Sequence, residues 1–294
     1  MASKGSAADK AAVARKTAAA LRAKQRAASR RNTIVAAVGA LVIVAVFAVI
    51  VSFIVKAEKD DSGPYGVYDS GEMKVPTAAD GSGGIIVGPG GVGRGSVAAD
   101  AVRVDVYEDP ICPYCGVFTL YTSEEVGALS DDGEIALHYH PLSYFDEYSA
   151  DTHYSTRAAS AMATIAEYDP EHFWVFIEEV FANQPPEGGP GLTNDEIADI
   201  ARKVDVSEEA IVKIADGEFT RWVASATEQA SKDGVTETPM FLIGGVQFTQ
   251  WVDYEGQPTT GSITAAVAYV KEHGAAALAD YLATPIDPEP TPSV

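Results

Sequence analysis

The sequence predicts an α/β domain preceded by a single membrane-crossing helix, and three observations carry that prediction. An alternating run with β-branched residues, Ala101 to Tyr107, breaks at Glu108-Asp109-Pro110 and gives way to a helical pattern that begins around Cys112-Pro113-Tyr114-Cys115. A long block of helical period follows, about 149–232, and the chain then returns to strand at Met240-Phe241-Leu242-Ile243. Ahead of all this, Asn32 to Val55 holds no charged residue.

The N-terminal third sets the topology. Of the chain's 21 Lys and Arg and 42 Asp and Glu, residues 1–31 hold nine and one, leaving twelve basic against 41 acidic residues in the rest. Residues 32–55, dominated by Val, Ala, Ile and Phe, reach ~36 Å as a helix, more than the ~30 Å of a bilayer core. Basic residues before the span and acidic ones after it make 1–31 a cytoplasmic tail and put the remainder outside the cell membrane. The apolar run is long for a cleaved leader and no A-x-A site follows it directly, so it reads as a retained single-pass signal anchor in the lipid bilayer. The acidic external part repels nucleic acid, which is excluded as a partner, and the basic tail reads as a topology signal.

Residues 56–97, rich in Gly, Asp, Ser and Pro, read as a flexible tether, with Ile85-Ile86-Val87 a candidate for a short added strand. The glycines of 88–95 are not a phosphate loop, because a strand rather than a helix follows them and no GK[ST] is present. The domain proper is expected over 98–284, and Pro285 to Val294, with four prolines, reads as a disordered tail.

Both cysteines of the chain lie in one tetrapeptide. A structural disulfide framework would spread them apart, and a four-cysteine zinc site needs a second pair. Cys112 is expected where the strand turns into the first helical turn; unpaired N–H groups and the helix dipole there favour a thiolate. Cys115, one turn on, is within reach and deeper, as suits a resolving thiol. The alternative is half of a metal site completed by His138, His140 or Met240, since the two histidines share a face of a predicted strand, 134–140.

Within the helical block, Phe173, Phe176, Ile177, Val180 and Phe181 form one apolar stripe. Thr193-Asn194-Asp195-Glu196 is a capping box for a helix presenting Ile197, Ile200, Ala201 and Val204. Ser207 starts another helix, and Phe219, Trp222, Val223 and Ala226 mark one ending near Lys232. Then Met240–Ile243, Gly244-Gly245 and Val246–Phe248 spell a hairpin, preceded by Thr238-Pro239, where a cis bond is expected. Helices over 262–273 and 275–282 close the domain.

This order of elements resembles the thioredoxin fold with a helical insertion, and specifically the membrane-anchored DsbA-like thiol-disulfide oxidoreductases of bacteria without a periplasm. The matching residues are Tyr107-Glu108-Asp109, Cys112 to Cys115, His140-Pro141-Leu142, the Gln184-Pro185-Pro186-Glu187-Gly188-Gly189 loop, and Gly234 to Met240. The resemblance implies Cys112 as nucleophile, Cys115 as resolving thiol and Pro239 as cis-proline, with Thr238, Pro113 and Tyr114 facing substrate. It also implies that no cofactor is carried by the chain, that unfolded exported proteins with cysteine thiols are the substrates, and that a membrane re-oxidase of DsbB or vitamin-K-epoxide-reductase type is the partner. The chain departs from the pattern in two places. The dipeptide Pro113-Tyr114 matches glutaredoxins and lacks the histidine that would add a cation beside the thiolate, and Val106 stands where thioredoxins place a buried carboxylate. Glu108, Asp109 or water remain as acceptors for the Cys115 proton. Tyr114, Tyr144, Phe145 and Trp251 either line an apolar peptide groove or belong to the core. A disulfide reductase or isomerase of the same fold and a metal-binding chaperone are the alternative functions.

Overall fold

The computed structural model describes residues 73–93, 97–252, 256–257, 259 and 261–283. The tail 1–31, the span 32–55 and the C-terminal tail 285–294 lie outside the described residues, among which no helix is long and apolar enough to cross a membrane.

Six strands form one sheet: β1 (Ile85–Gly88), β2 (Gly91–Val92), β3 (Val102–Glu108), β4 (Ile135–Pro141), β5 (Met240–Ile243) and β6 (Val246–Gln247), in the order β2-β1-β4-β3-β5-β6. The centre is the parallel pair β3 and β4, with Val104 beside Leu137 and Val106 beside Tyr139. Such a parallel pair needs a crossover, and α1 (Pro113–Asp131) supplies it. β5 adds antiparallel to β3 and turns back into β6 through Gly244-Gly245, the expected hairpin.

Register sorts the strand residues onto two faces. Val104, Val106 and Glu108 share one face with Leu137, Tyr139 and Phe241, against which Phe118 of α1 packs at 5.3 Å from the Phe241 ring. Arg103, Asp105 and Tyr107 share the other with His138 and His140.

The insertion is α2 (Tyr154–Tyr168), α3 (Phe173–Ala182), α4 (Asn194–Lys203), α5 (Glu208–Asp216) and α6 (Thr220–Lys232), within the range read from the periodicity. The stripe of α3 is buried throughout, Phe173 against Tyr139 edge-on at 5.9 Å. Burial of side chains of this size stabilises by about 1.5–3 kcal/mol each. The capping box is formed: Thr193 Oγ1 accepts from the Glu196 N–H at 3.2 Å, and Glu196 accepts from the Thr193 N–H at 2.7 Å. Helices α7 (Ser262–His273) and α8 (Ala275–Ala283) follow. Among the described residues no local side chain caps α7; instead Glu125 of α1 accepts from the Gly261 and Thr264 N–H groups.

The tether expected to run to residue 97 ends earlier. Ala78, Ala79 and Ile85 to Val87 are buried, and β1 pairs with β4 at Ile85–Tyr139 and Ile86–His138. The glycines here shape a fixed turn rather than a loose one. Asp80 accepts from the Ser82 and Gly84 N–H groups at 2.8 and 2.9 Å and pairs with His138 at 2.6 Å and Arg103 at 3.4 Å. Gly84 lets the strand lie on His140, whose ring a Cβ would meet at 2.8 Å. The domain therefore starts before residue 80, not at 98.

Candidate active site

β3 ends at Glu108, the turn Asp109-Pro110-Ile111 reverses direction, and Cys112 stands as the N-cap of α1 with extended backbone while Pro113 takes the first helical position. Proline is favoured there because the N–H it lacks would have no intrahelical partner. Cys112 keeps an exposure of 3 %, Cys115 of 0 %, and both are free thiols. The Thr238–Pro239 peptide is cis, as read from the sequence, and the Cys112 thiol donates to the Thr238 carbonyl at 3.3 Å. Cys112, Cys115, Thr238 and Pro239 are thus brought together from residues more than a hundred positions apart. Tyr114, 73 % exposed, stands outward on the first turn with Pro113.

The two sulfurs differ sharply. Cys112 is pulled down to about 6, first by its hydrogen bond with Cys115, then by Thr238 and the N–H groups of Cys115 and Tyr114, against the cost of burial. Burial pushes Cys115 well above the ordinary thiol value, reinforced by its hydrogen bond to Cys112 and by Glu108. The geometry makes Cys112 a thiolate at neutral pH and leaves Cys115 protonated behind it.

Glu108 and Asp109 lie beneath the pair, with exposures of 2 % and 0 %. Burial raises Glu108 to about 8, while hydrogen bonds from Thr119 Oγ1 at 2.7 Å and from Tyr139 oppose it. Burial raises Asp109 to about 7 as well, but its oxygens are committed to the loop: Oδ1 accepts from Ile111 N and Ser155 Oγ, and Oδ2 from Phe145 N. Its own N–H points at Cys115 Sγ at 3.5 Å. Glu108, held by side-chain hydroxyls and electrostatically coupled to Cys115, is the carboxyl placed to exchange a proton there, and Asp109 is the hub that ties the dithiol turn to α2 and to Phe145. Two adjacent carboxyls at the end of an apolar strand were the signal for this pair; burial that deep was not readable from it.

The histidines are not turned toward the dithiol. His138 is held by Asp80, and His140 by Asp105 at 3.0 Å with its ring stacked on Tyr107 at 4.0 Å. Met240 packs with Tyr107, Leu142 and Val235. Of the four aromatics, only Tyr114 is exposed beside Cys112. Tyr144 is fixed through its hydroxyl to the Val235 carbonyl at 2.6 Å, and Phe145 and Trp251 pack at the edge of the core, Trp251 edge-on to Phe118. The Gln184 loop, recognised in sequence as a marker, supplies a contact that sequence reasoning missed: the Gln184 amide donates to the carbonyls of Pro110 at 2.9 Å and Cys112 at 2.7 Å.

Residues 89–259 match the model of a family described as thioredoxin. Among solved structures, the chain is similar to reduced DsbA from Mycobacterium tuberculosis, with 24 % identity and a TM-score of 0.53 over 67 % of this chain and 99 % of that one. It is also similar to the thiol-disulfide oxidoreductase MdbA from Actinomyces oris, with 21 % identity and a TM-score of 0.53 over 68 % and 93 %. Oxidised BdbD from Bacillus subtilis follows at 19 % identity and a TM-score of 0.51 over 68 % and 100 %. A curated relative, the serine/threonine-protein kinase PknE of Mycobacterium tuberculosis, is 33 % identical over 131 residues, 43 % of this chain. The chain spans 23 % of the length of that relative.

Proposed function

The chain belongs to the thioredoxin family, and from that premise we propose that its Cys112–Cys115 pair is a thiol-disulfide oxidoreductase centre that introduces disulfides into exported proteins. The observation that carries the reading is the asymmetry of the two sulfurs. A stabilised thiolate at Cys112 favours the reduced enzyme, and so favours giving the disulfide away.

A substrate thiolate attacks Cys112 Sγ of the closed pair; the Cys112–Cys115 bond breaks, and Cys115 leaves with the electron pair. Protonated Glu108, coupled to Cys115, gives it a proton. A second substrate thiolate then attacks the substrate sulfur of the mixed disulfide, and Cys112 departs as the thiolate that the Cys115 thiol and the N–H groups of the first helical turn stabilise. The substrate has lost two electrons, and the enzyme dithiol holds them. Re-oxidation by a membrane partner reverses the order, with Glu108 as base for Cys115. An anchor at 32–55 would keep enzyme and re-oxidase in one membrane, with the substrates arriving unfolded from export.

The Cys112 value of about 6 lies between the ~7 of thioredoxin and the ~3.5 of a strongly oxidising DsbA. That supports a milder donor than the latter, in keeping with tyrosine where a histidine would add charge. The deciding experiment pairs trapping with a potential. Cys115→Ser in cells should accumulate mixed disulfides with exported clients, and Cys112→Ser none. A potential less negative than about −200 mV supports donation, and one below about −250 mV reassigns the centre as a reductase.

A further inference from the structure

The helical insertion reaches the dithiol at one point. Gln184, just past the end of α3, is half-buried and aims its amide nitrogen at two carbonyls of the turn that presents the nucleophile, Pro110 and Cys112. The direction of the amide is fixed by chemistry: a carbonyl only accepts, so the end facing both of them must be the NH2. The Cys112 carbonyl is at the same time the first acceptor of α1, taking the N–H groups of Cys115 at 3.0 Å and Gly116 at 3.4 Å.

Gly116 is an independent sign that the contact is built in. A glycine inside a helix costs about 1 kcal/mol relative to alanine, and a Cβ there would meet Gln184 Oε1 at 2.7 Å. The helix gives up propensity directly after the resolving cysteine, and the space is filled by the Gln184 carbonyl.

We propose that Gln184 is a positioning residue through which the insertion fixes the Cys112 turn and tunes how readily the dithiol parts with its disulfide. Its two donors present partial positive charge to the peptide groups that flank the nucleophile. That charge favours the reduced enzyme, in which Cys112 is an anion, over the neutral disulfide. The mechanical part of the clamp acts on both redox states alike; the electrostatic part does not, and it distinguishes tuning from mere structural support. The inference rests on thiol-disulfide exchange at Cys112 and is independent of the direction in which electrons flow.

The test uses the full-length chain and three variants, Gln184→Ala, Gln184→Glu and Gly116→Ala, with two readouts: the pH profile of Cys112 alkylation and the equilibrium with glutathione. Gln184→Glu sets a carboxylate against two carbonyls and a thiolate. It should move the alkylation profile to higher pH and make the disulfide about tenfold harder to reduce, while Gln184→Ala should do the same by about two- to threefold, less than the roughly fivefold of one ordinary hydrogen bond of about 1 kcal/mol, because only the electrostatic part of the contact distinguishes the redox states. Gly116→Ala displaces the amide without touching its chemistry and should follow Gln184→Ala. If Gln184→Glu does not fold, the other two decide. Constants within twofold of the parent in the folded variants, or shifts toward lower pH, overturn the proposal even where the unfolding midpoint changes. Failure of the exchange reading itself would show differently, as a parent chain that forms no dithiol–disulfide equilibrium with glutathione.

Discussion

The two faces of the β3–β4 pair each bury carboxyl groups, and treat them in opposite ways. On the dithiol side Glu108 and Asp109 are raised to about 8 and about 7, because burial penalises their anions and, among the described residues, no cation offsets it. On the other side Asp105 and Asp80 are held below the ordinary carboxylate range: burial would raise both, but hydrogen bonds from His140 and Arg103 to Asp105, and from His138 and Ser82 to Asp80, outweigh it. The acids paired with cations hold the sheet together; of the two that have no cation, Asp109 is tied to the dithiol turn and Glu108 is placed to move a proton next to a thiol. Partner chemistry and depth act together: Asp80, part-buried, has cationic partners, and Glu108 and Asp109, more deeply buried, have none.

Breaking the structural side should have the largest effect. Asp105→Ala leaves His140 without its only described hydrogen-bond partner and takes from Arg103 three hydrogen bonds. Removing one member of a buried pair costs about 3–5 kcal/mol, and since Arg103 is half-exposed and can hydrate, the loss in urea unfolding should fall near the lower figure. Cys112 alkylation should keep its pH profile. Next, Glu108→Gln should slow resolution of the mixed disulfide by about 100-fold, as general acid–base groups contribute, measured by stopped-flow exchange, while leaving the fold intact.

Linkage then gives the two regions opposite pH slopes. Glu108 binds its proton more tightly folded than unfolded, so between its ordinary value of 4.5 and about 8 the native state holds the extra proton, and stability falls as pH rises through that window. Asp105, lowered from 3.8, contributes stability above that value and loses it as pH falls below. Cys112, lowered from 9.0 to about 6 in the reduced chain, gives the opposite slope between those values. The test therefore uses the oxidised chain, in which it does not titrate: unfolding should be easier at pH 9 than at pH 6, and Glu108→Gln should flatten that limb and leave the acid limb unchanged. The smallest effect is expected from Thr119→Val, which removes the 2.7 Å donor to Glu108. It should raise Glu108 further and cost about 1 kcal/mol, read from the alkaline shift of the same limb.

Legibility in the sequence followed the range of the interactions. The α3 stripe, the Thr193 capping box, the hairpin at Gly244-Gly245 and the N-cap position of Cys112 are all set within a few residues, and each was readable. The start of α7 was read at Ser262 as well, but what caps it was not, since the cap is Glu125, 136 residues before Gly261. In the glycine-rich segment 80–93 the short strand at Ile85-Ile86-Val87 was readable, but not the fixed turn before it or its place in the sheet: that order comes from Asp80 meeting Arg103 and His138, and from β4 as a partner.

By itself the sequence determined that two thiols sit one helical turn apart at a helix start, that a helical block separates them from a Thr-Pro strand, and that an apolar span precedes the domain. These follow from periodicity, turn residues and charge, all local properties. Only the tertiary structure decided which carboxyl is placed to exchange a proton with Cys115, which is tied to the loop, and that Gln184 reaches the Cys112 carbonyl from 72 residues away. Proton affinity and hydrogen bonding inside a protein depend on what burial removes and what a distant segment supplies, and neither is written in the neighbouring residues.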